Sequence, residues 1–119
     1  MMRLLDMGMP VKGAFDGKQG AQGWAPVKDL KTAGAKLFAV PNGNGVGKLH
    51  HKLMVLDEQV IIAGSFNYTG PANRLNDENI IVIGNLNTSS NKQIKAQSKM
   101  AAFAKSEIER IISDHGTPM

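Results

Sequence analysis

Between Lys48 and Asn67 the chain reads KLHHKLMVLDEQVIIAGSFN. His50 offers a nucleophilic imidazole, Lys52 a fixed cation, Ser65 a hydroxyl and Asn67 a carboxamide. These are the parts needed to bind a phosphoryl group and attack its phosphorus. A single strand histidine would carry no such implication. The company it keeps does.

Strand geometry separates the two adjacent histidines. Side chains alternate faces, so His50 and Lys52 share one face while His51 and Leu53 take the other. Ser65 and Asn67 likewise share a face of the next strand. A hairpin turning at Glu58–Gln59 sets His50 opposite Asn67, Lys52 opposite Ser65, Met54 opposite Ala63 and Leu56 opposite Ile61. The polar quartet then occupies the rim of an otherwise apolar surface. This register depends on the turn, because Glu-Gln is a weak two-residue turn and an odd-length loop shifts the pairing.

Two other chemistries fit poorly. Adjacent strand histidines face apart and cannot readily share a metal ion, the chain has no cysteine, and no nearby Asp or Glu completes a ligand set. The expectation is no metal and no cofactor. A serine hydrolase built on Ser65 lacks the glycine pattern of a nucleophile elbow. The glycine-rich NGNGVGK is not a phosphate loop either, since Asn42 and Leu49 stand where that motif requires Gly and Ser or Thr. It reads as a connecting loop.

The elements that must position these residues follow from periodicity. Residues 1–9 read as the end of a helix stopped by Gly8 and Pro10, and residues 11–16 as a strand. Trp24, Val27, Leu30 and Ala33 form a helical stripe within 21–34, with Pro26 in its first turn and Gly34 as its stop. Residues 35–40 are a short buried-type strand. Three more strands are expected at 49–56, 60–66 and 79–83. Ile94, Ala101, Ala104, Ile108 and Ile111 then line one face of a helix over about 90–113, ended by Gly116. The order predicts an α/β (α+β) fold, a mixed β-sheet flanked by helices. With 119 residues, one domain spanning 1–119 is expected.

Composition narrows the partner. Lys plus Arg number 14 against 10 Asp plus Glu, a net charge of +4. A basic surface favours polyanions, whether nucleic acid or anionic lipid headgroups. The opening MMRLLDMGMPVK is too short and too interrupted for a signal peptide, and no apolar run is long enough to span a membrane. The expectation is a soluble chain of unassigned compartment.

The spacing carries a resemblance. His50-x-Lys52, Asp57 and Gly64-Ser65-x-Asn67 match the HxK(x)4D(x)6GSxN signature of the phospholipase D superfamily at every fixed position, and the downstream NYTGPANRLNDENIIVI resembles the family's continuation. The similarity runs from about Val11 to Gly84. It implies that His50 attacks phosphorus to give a phosphohistidine. Lys52 and Asn67 would then hold the non-bridging oxygens with support from Ser65, and Glu78 would orient the imidazole. Asp57 and Gly64 take structural roles, and no metal is used.

The family's reaction needs two motif histidines, and this chain has one motif. Single-motif relatives pair two chains, which implies a homodimer with a composite site. The resemblance also implies that the first strand and helix of the family domain are missing, as in an N-terminally truncated domain. The leading expectation is a metal-independent nuclease cleaving DNA or RNA. The alternatives are a phospholipid hydrolase or headgroup transferase with the same chemistry, and a catalytically silent polyanion-binding module.

Overall fold

A computed structural model describes residues 1–43, 45–65 and 77–119. The chain forms two compact units, Met1–His50 with Ile108–Met119, and His51–Glu107. The fold is α+β, and the six strands among the described residues divide equally between two sheets.

In the first unit, β1 (Lys12–Asp16) and β2 (Lys36–Val40) pair in parallel from Lys12–Lys36 to Asp16–Val40. A parallel pair needs a crossover. Here it is made by α2 (Gly17–Gly20) and α3 (Val27–Thr32), which follow α1 (Met2–Asp6). Val27 and Leu30 of the expected stripe are buried. Trp24 is not part of it: the helix starts only after Pro26 as its N-cap, and Trp24 is left 61% exposed. Val40, at 1% exposure, ends β2 in the core.

The long helix α4 (Asn91–His115) ends before Gly116. Beyond it, Thr117–Pro118 forms a two-residue strand, β6, antiparallel to β2. Nothing in the sequence signals this strand. It is too short for any periodicity, and the sheet edge beside Phe38 and Ala39 creates it.

In the second unit, β3 (Leu53–Leu56), β4 (Val60–Gly64) and β5 (Ile80–Ile83) form an antiparallel sheet in that order. Val60 and Ile61 are buried. So is Ala101 of the expected α4 face, and Ile94 and Ala104 are half-buried. The buried Gln97 ties three parts of the unit together. Its amide donates to Gln59 Oε1 (2.8 Å) and to the Asn85 carbonyl (3.0 Å), and its oxygen accepts the Asn85 N–H (3.0 Å). A buried amide satisfied on both sides avoids the desolvation cost of an unpaired one.

The hairpin differs from expectation in one respect. Asp57 and Glu58, at φ 48° and 55°, are the central turn residues, and Gln59 N–H closes on the Leu56 carbonyl (3.0 Å). Gln59 is an extra residue, so Leu53 pairs with Ala63 and Leu56 with Val60. The ladder is therefore shifted by one residue from a turn at Glu58–Gln59, and a one-residue shift exchanges faces.

The left-handed conformation is unusual for glutamate, and Glu58 is held by an ion pair with Lys105. The hydrogen bond and charge of Lys105 keep the Glu58 carboxyl below the usual glutamate range. A carboxyl lowered by folding stabilises above its unfolded pKa and loses that contribution as pH falls through the lowered value. Lys105→Gln should thus be less stable than the parent at neutral pH. In urea titrations the difference should shrink once the pH drops below the glutamate range.

Candidate active site

His50 ends the Met1–His50 segment of the first unit, and His51 is the first residue of the second. Neither these two nor Lys52 lies in a strand, since β3 begins at Leu53. With Leu53 opposite Ala63, the expected oppositions of His50 with Asn67 and Lys52 with Ser65 do not arise from the ladder. His50 is exposed and Lys52 half-buried. Asn67 lies outside the described residues. His51 is also exposed, and its Nε2 stands 3.8 Å from Glu107 Oε1, as befits a surface residue.

The approach to His50 is tied down from behind. In the glycine loop, Gly43 and Val46 exchange backbone hydrogen bonds (2.8 and 2.9 Å), and Asn42 donates to the Gly47 carbonyl. No helix follows the loop, so it lacks the N-terminus that a phosphate loop uses. Leu49 N–H then donates to Asp16 Oδ2 (3.1 Å). Asp16 was not singled out from the sequence. The available signal is a carboxylate at a strand end followed three residues later by Gln, a helix-start pattern.

On the second unit the structure brings two expected site residues together. The Ser65 hydroxyl donates to Glu78 Oε2, joining the GSxN segment to the downstream glutamate. The Ser65 hydroxyl also accepts the Asn79 N–H (3.0 Å), and the Ser65 N–H donates to the Asn79 carbonyl and side-chain oxygens (3.1 Å each). This lattice continues the β4–β5 ladder, whose last pair is Gly64–Ile80. The one Ser65 hydroxyl hydrogen is spent on Glu78, so the serine holds the carboxylate in place.

Gly64 and Asp57 serve this frame. A Cβ at Gly64 would lie 2.2 Å from the Asn79 carbonyl oxygen, so only glycine allows the strands to approach this closely. Asp57 takes the first left-handed turn position, which Asp tolerates better than most residues. Among the described residues, no group of three or more His, Asp or Glu side chains is placed to hold a metal ion. Among them too, no helix is long and apolar enough to cross a membrane.

Comparison with known proteins shows the family of the chain. Residues 2–106 match the family model described as "Cardiolipin synthase, PLD-like domain". The chain is 32% identical over 82 residues to a mitochondrial cardiolipin hydrolase of Xenopus tropicalis, a match covering 69% of this chain and 38% of that protein. It is 46% identical over 37 residues to a phospholipase D of Rickettsia bellii, covering 31% of this chain and 18% of the relative. The chain thus spans less than two fifths of the length of these curated relatives. Its fold is similar to that of Nuc, a phospholipase D family member from Salmonella typhimurium. The TM-score is 0.75 at 23% identity, over 99% of this chain and 69% of that one. The family match spans both the segment leading to His50 and the Ser65–Glu78 frame, and the chain belongs to the phospholipase D-like family.

Proposed function

We propose that the chain is a metal-independent phosphodiesterase that works through a phosphohistidine on His50, with nucleic acid as its substrate. The observation that carries the chemistry is the Ser65–Glu78 hydrogen bond. It joins the Gly64-Ser65 step to the downstream glutamate and so holds one carboxylate of the motif in place.

In the proposed reaction a His50 ring nitrogen forms a bond to phosphorus and the P–O bond to the leaving group breaks. The departing oxygen takes a proton from a second histidine. Water then attacks phosphorus and gives its proton back to the second histidine, the P–N bond breaks, and His50 is regenerated. Lys52 neutralises the non-bridging oxygens, where charge builds up in the transition state, and Asn67 donates a hydrogen bond to them. Glu78, held by Ser65, orients the ring and stabilises its charged form. Asp57 and Gly64 shape the hairpin.

The second histidine is His50 of another copy, which makes the active form a homodimer. The edge strand β5 supports this reading. Ile80, Ile81, Val82 and Ile83 are 38–59% exposed, an apolar surface that an isolated chain has reason to cover. The active species should sediment at twice the chain mass; turnover confined to a monomer peak would exclude the composite site.

A polyanionic substrate is supported by α4. Lys92, Lys95 and Lys99 project from its first half, all exposed, and no acidic residue occurs between Asn91 and Ser106. Lys92, in the first turn, opposes the helix dipole, a cost that a bound polyanion would compensate. Incubation in EDTA with plasmid and, separately, with phospholipid vesicles tests the substrate. DNA nicking is expected, with affinity falling steeply as salt rises. Headgroup release without nicking would instead assign the phospholipid reaction of the same family, and silence on both would point to a binding module.

A further inference from the structure

We infer that Asp16 is a positioning residue for His50, a role that rests on the proposed nucleophile and on the hydrogen bond between Asp16 and the Leu49 N–H. Asp16 ends β1, its backbone paired with the fully buried Val40, and is itself only 8% exposed. Burying a carboxylate is costly unless both oxygens find donors. Oδ1 accepts the Gln19 N–H (2.9 Å) and caps α2. Oδ2 reaches 33 residues along the chain to the N–H of Leu49, the residue before His50.

Capping needs only one of these oxygens, and Ser or Asn would cap as well as Asp. The second oxygen is what requires a carboxylate, and its use is to pin the backbone leading to His50. Residues 48–52 have no helix or strand ladder of their own. The rigid end of the parallel pair is thus transmitted through one side chain to the nucleophile's backbone. Nucleophilic attack is sensitive to such placement, and a misplacement of about 1 Å costs on the order of 100-fold in rate.

The test uses Asp16→Asn and Asp16→Ser, each of which keeps a capping oxygen and gives up the bond to Leu49. The full chain is assayed on bis-p-nitrophenyl phosphate. Amide hydrogen exchange and the ring signals of the three histidines are followed by NMR. Both variants should fold and keep the α2 cap, as judged by Gln19 amide protection. Leu49 exchange should accelerate about 10-fold or more. The His50 ring signals should move while those of His51 and His115 stay. The kcat should fall about 10- to 100-fold with KM within about twofold.

Unchanged Leu49 exchange and unmoved His50 signals would overturn the role, as would a faster Leu49 exchange with an unchanged kcat. If the unmodified chain proves inactive, or His50→Asn retains activity, the proposed chemistry fails. The exchange and ring signals still decide whether Asp16 positions His50.

Discussion

Replacing His50 by Asn should abolish phosphodiester cleavage, lowering kcat by at least about 10,000-fold, while His51→Asn retains most of the activity. A covalent nucleophile has no substitute, and losses of this order follow its removal. Asn cannot form a stable bond to phosphorus. His51 is exposed and lies near Glu107, so its replacement removes at most a surface pair worth about 0–1 kcal/mol. Circular dichroism of both variants should match the parent. A steady-state assay on plasmid DNA in EDTA reads both outcomes, and equal losses would refute the division of labour.

The second large effect concerns the frame. Gly64→Ala should destabilise the protein by about 2–4 kcal/mol, because the added Cβ would meet the Asn79 carbonyl oxygen at 2.2 Å and the two strands must separate. The two nearest contacts of that Cβ, the Asn79 carbonyl oxygen and carbon, are backbone atoms, which cannot swing away like the end of a flexible side chain. Separation also pulls Ser65 from Asn79 and loosens the hold on Glu78. Urea unfolding should show the loss, with a Tm roughly 10 °C lower. Gly13→Ala is the control: a Cβ there meets nothing within 4 Å, and its stability should be near that of the parent.

The residues most readable in the sequence were those under both chemical and spacing constraints. The Gly64-Ser65 step and Glu78, which the structure joins by a hydrogen bond, stand out by type and spacing, as do β1 and β2 as short strands and the apolar face of α4 by periodicity. The hairpin register was not. Asp57 and Glu58 carry the positive φ values, yet neither is glycine or asparagine, so no local turn signature marked them. The extra Gln59 is held by the buried Gln97, far along the chain. The long-range hydrogen bond from Asp16 to Leu49 was hidden for the same reason, since spacing patterns report neighbours in sequence and not partners across a fold. Trp24 shows the opposite error: it fitted a helical stripe by spacing, but Pro26 starts the helix after it.

The direct test of the chemistry is to trap the intermediate. The chain is mixed with a phosphodiester labelled on phosphorus, quenched within a turnover at alkaline pH, where phosphohistidine survives, and digested for mass spectrometry. The expected result is a phosphoryl adduct on His50, lost in His50→Asn and accumulating when the resolving step is slowed. Label on His51 or His115, or an active chain that never becomes labelled, would contradict nucleophilic attack by His50.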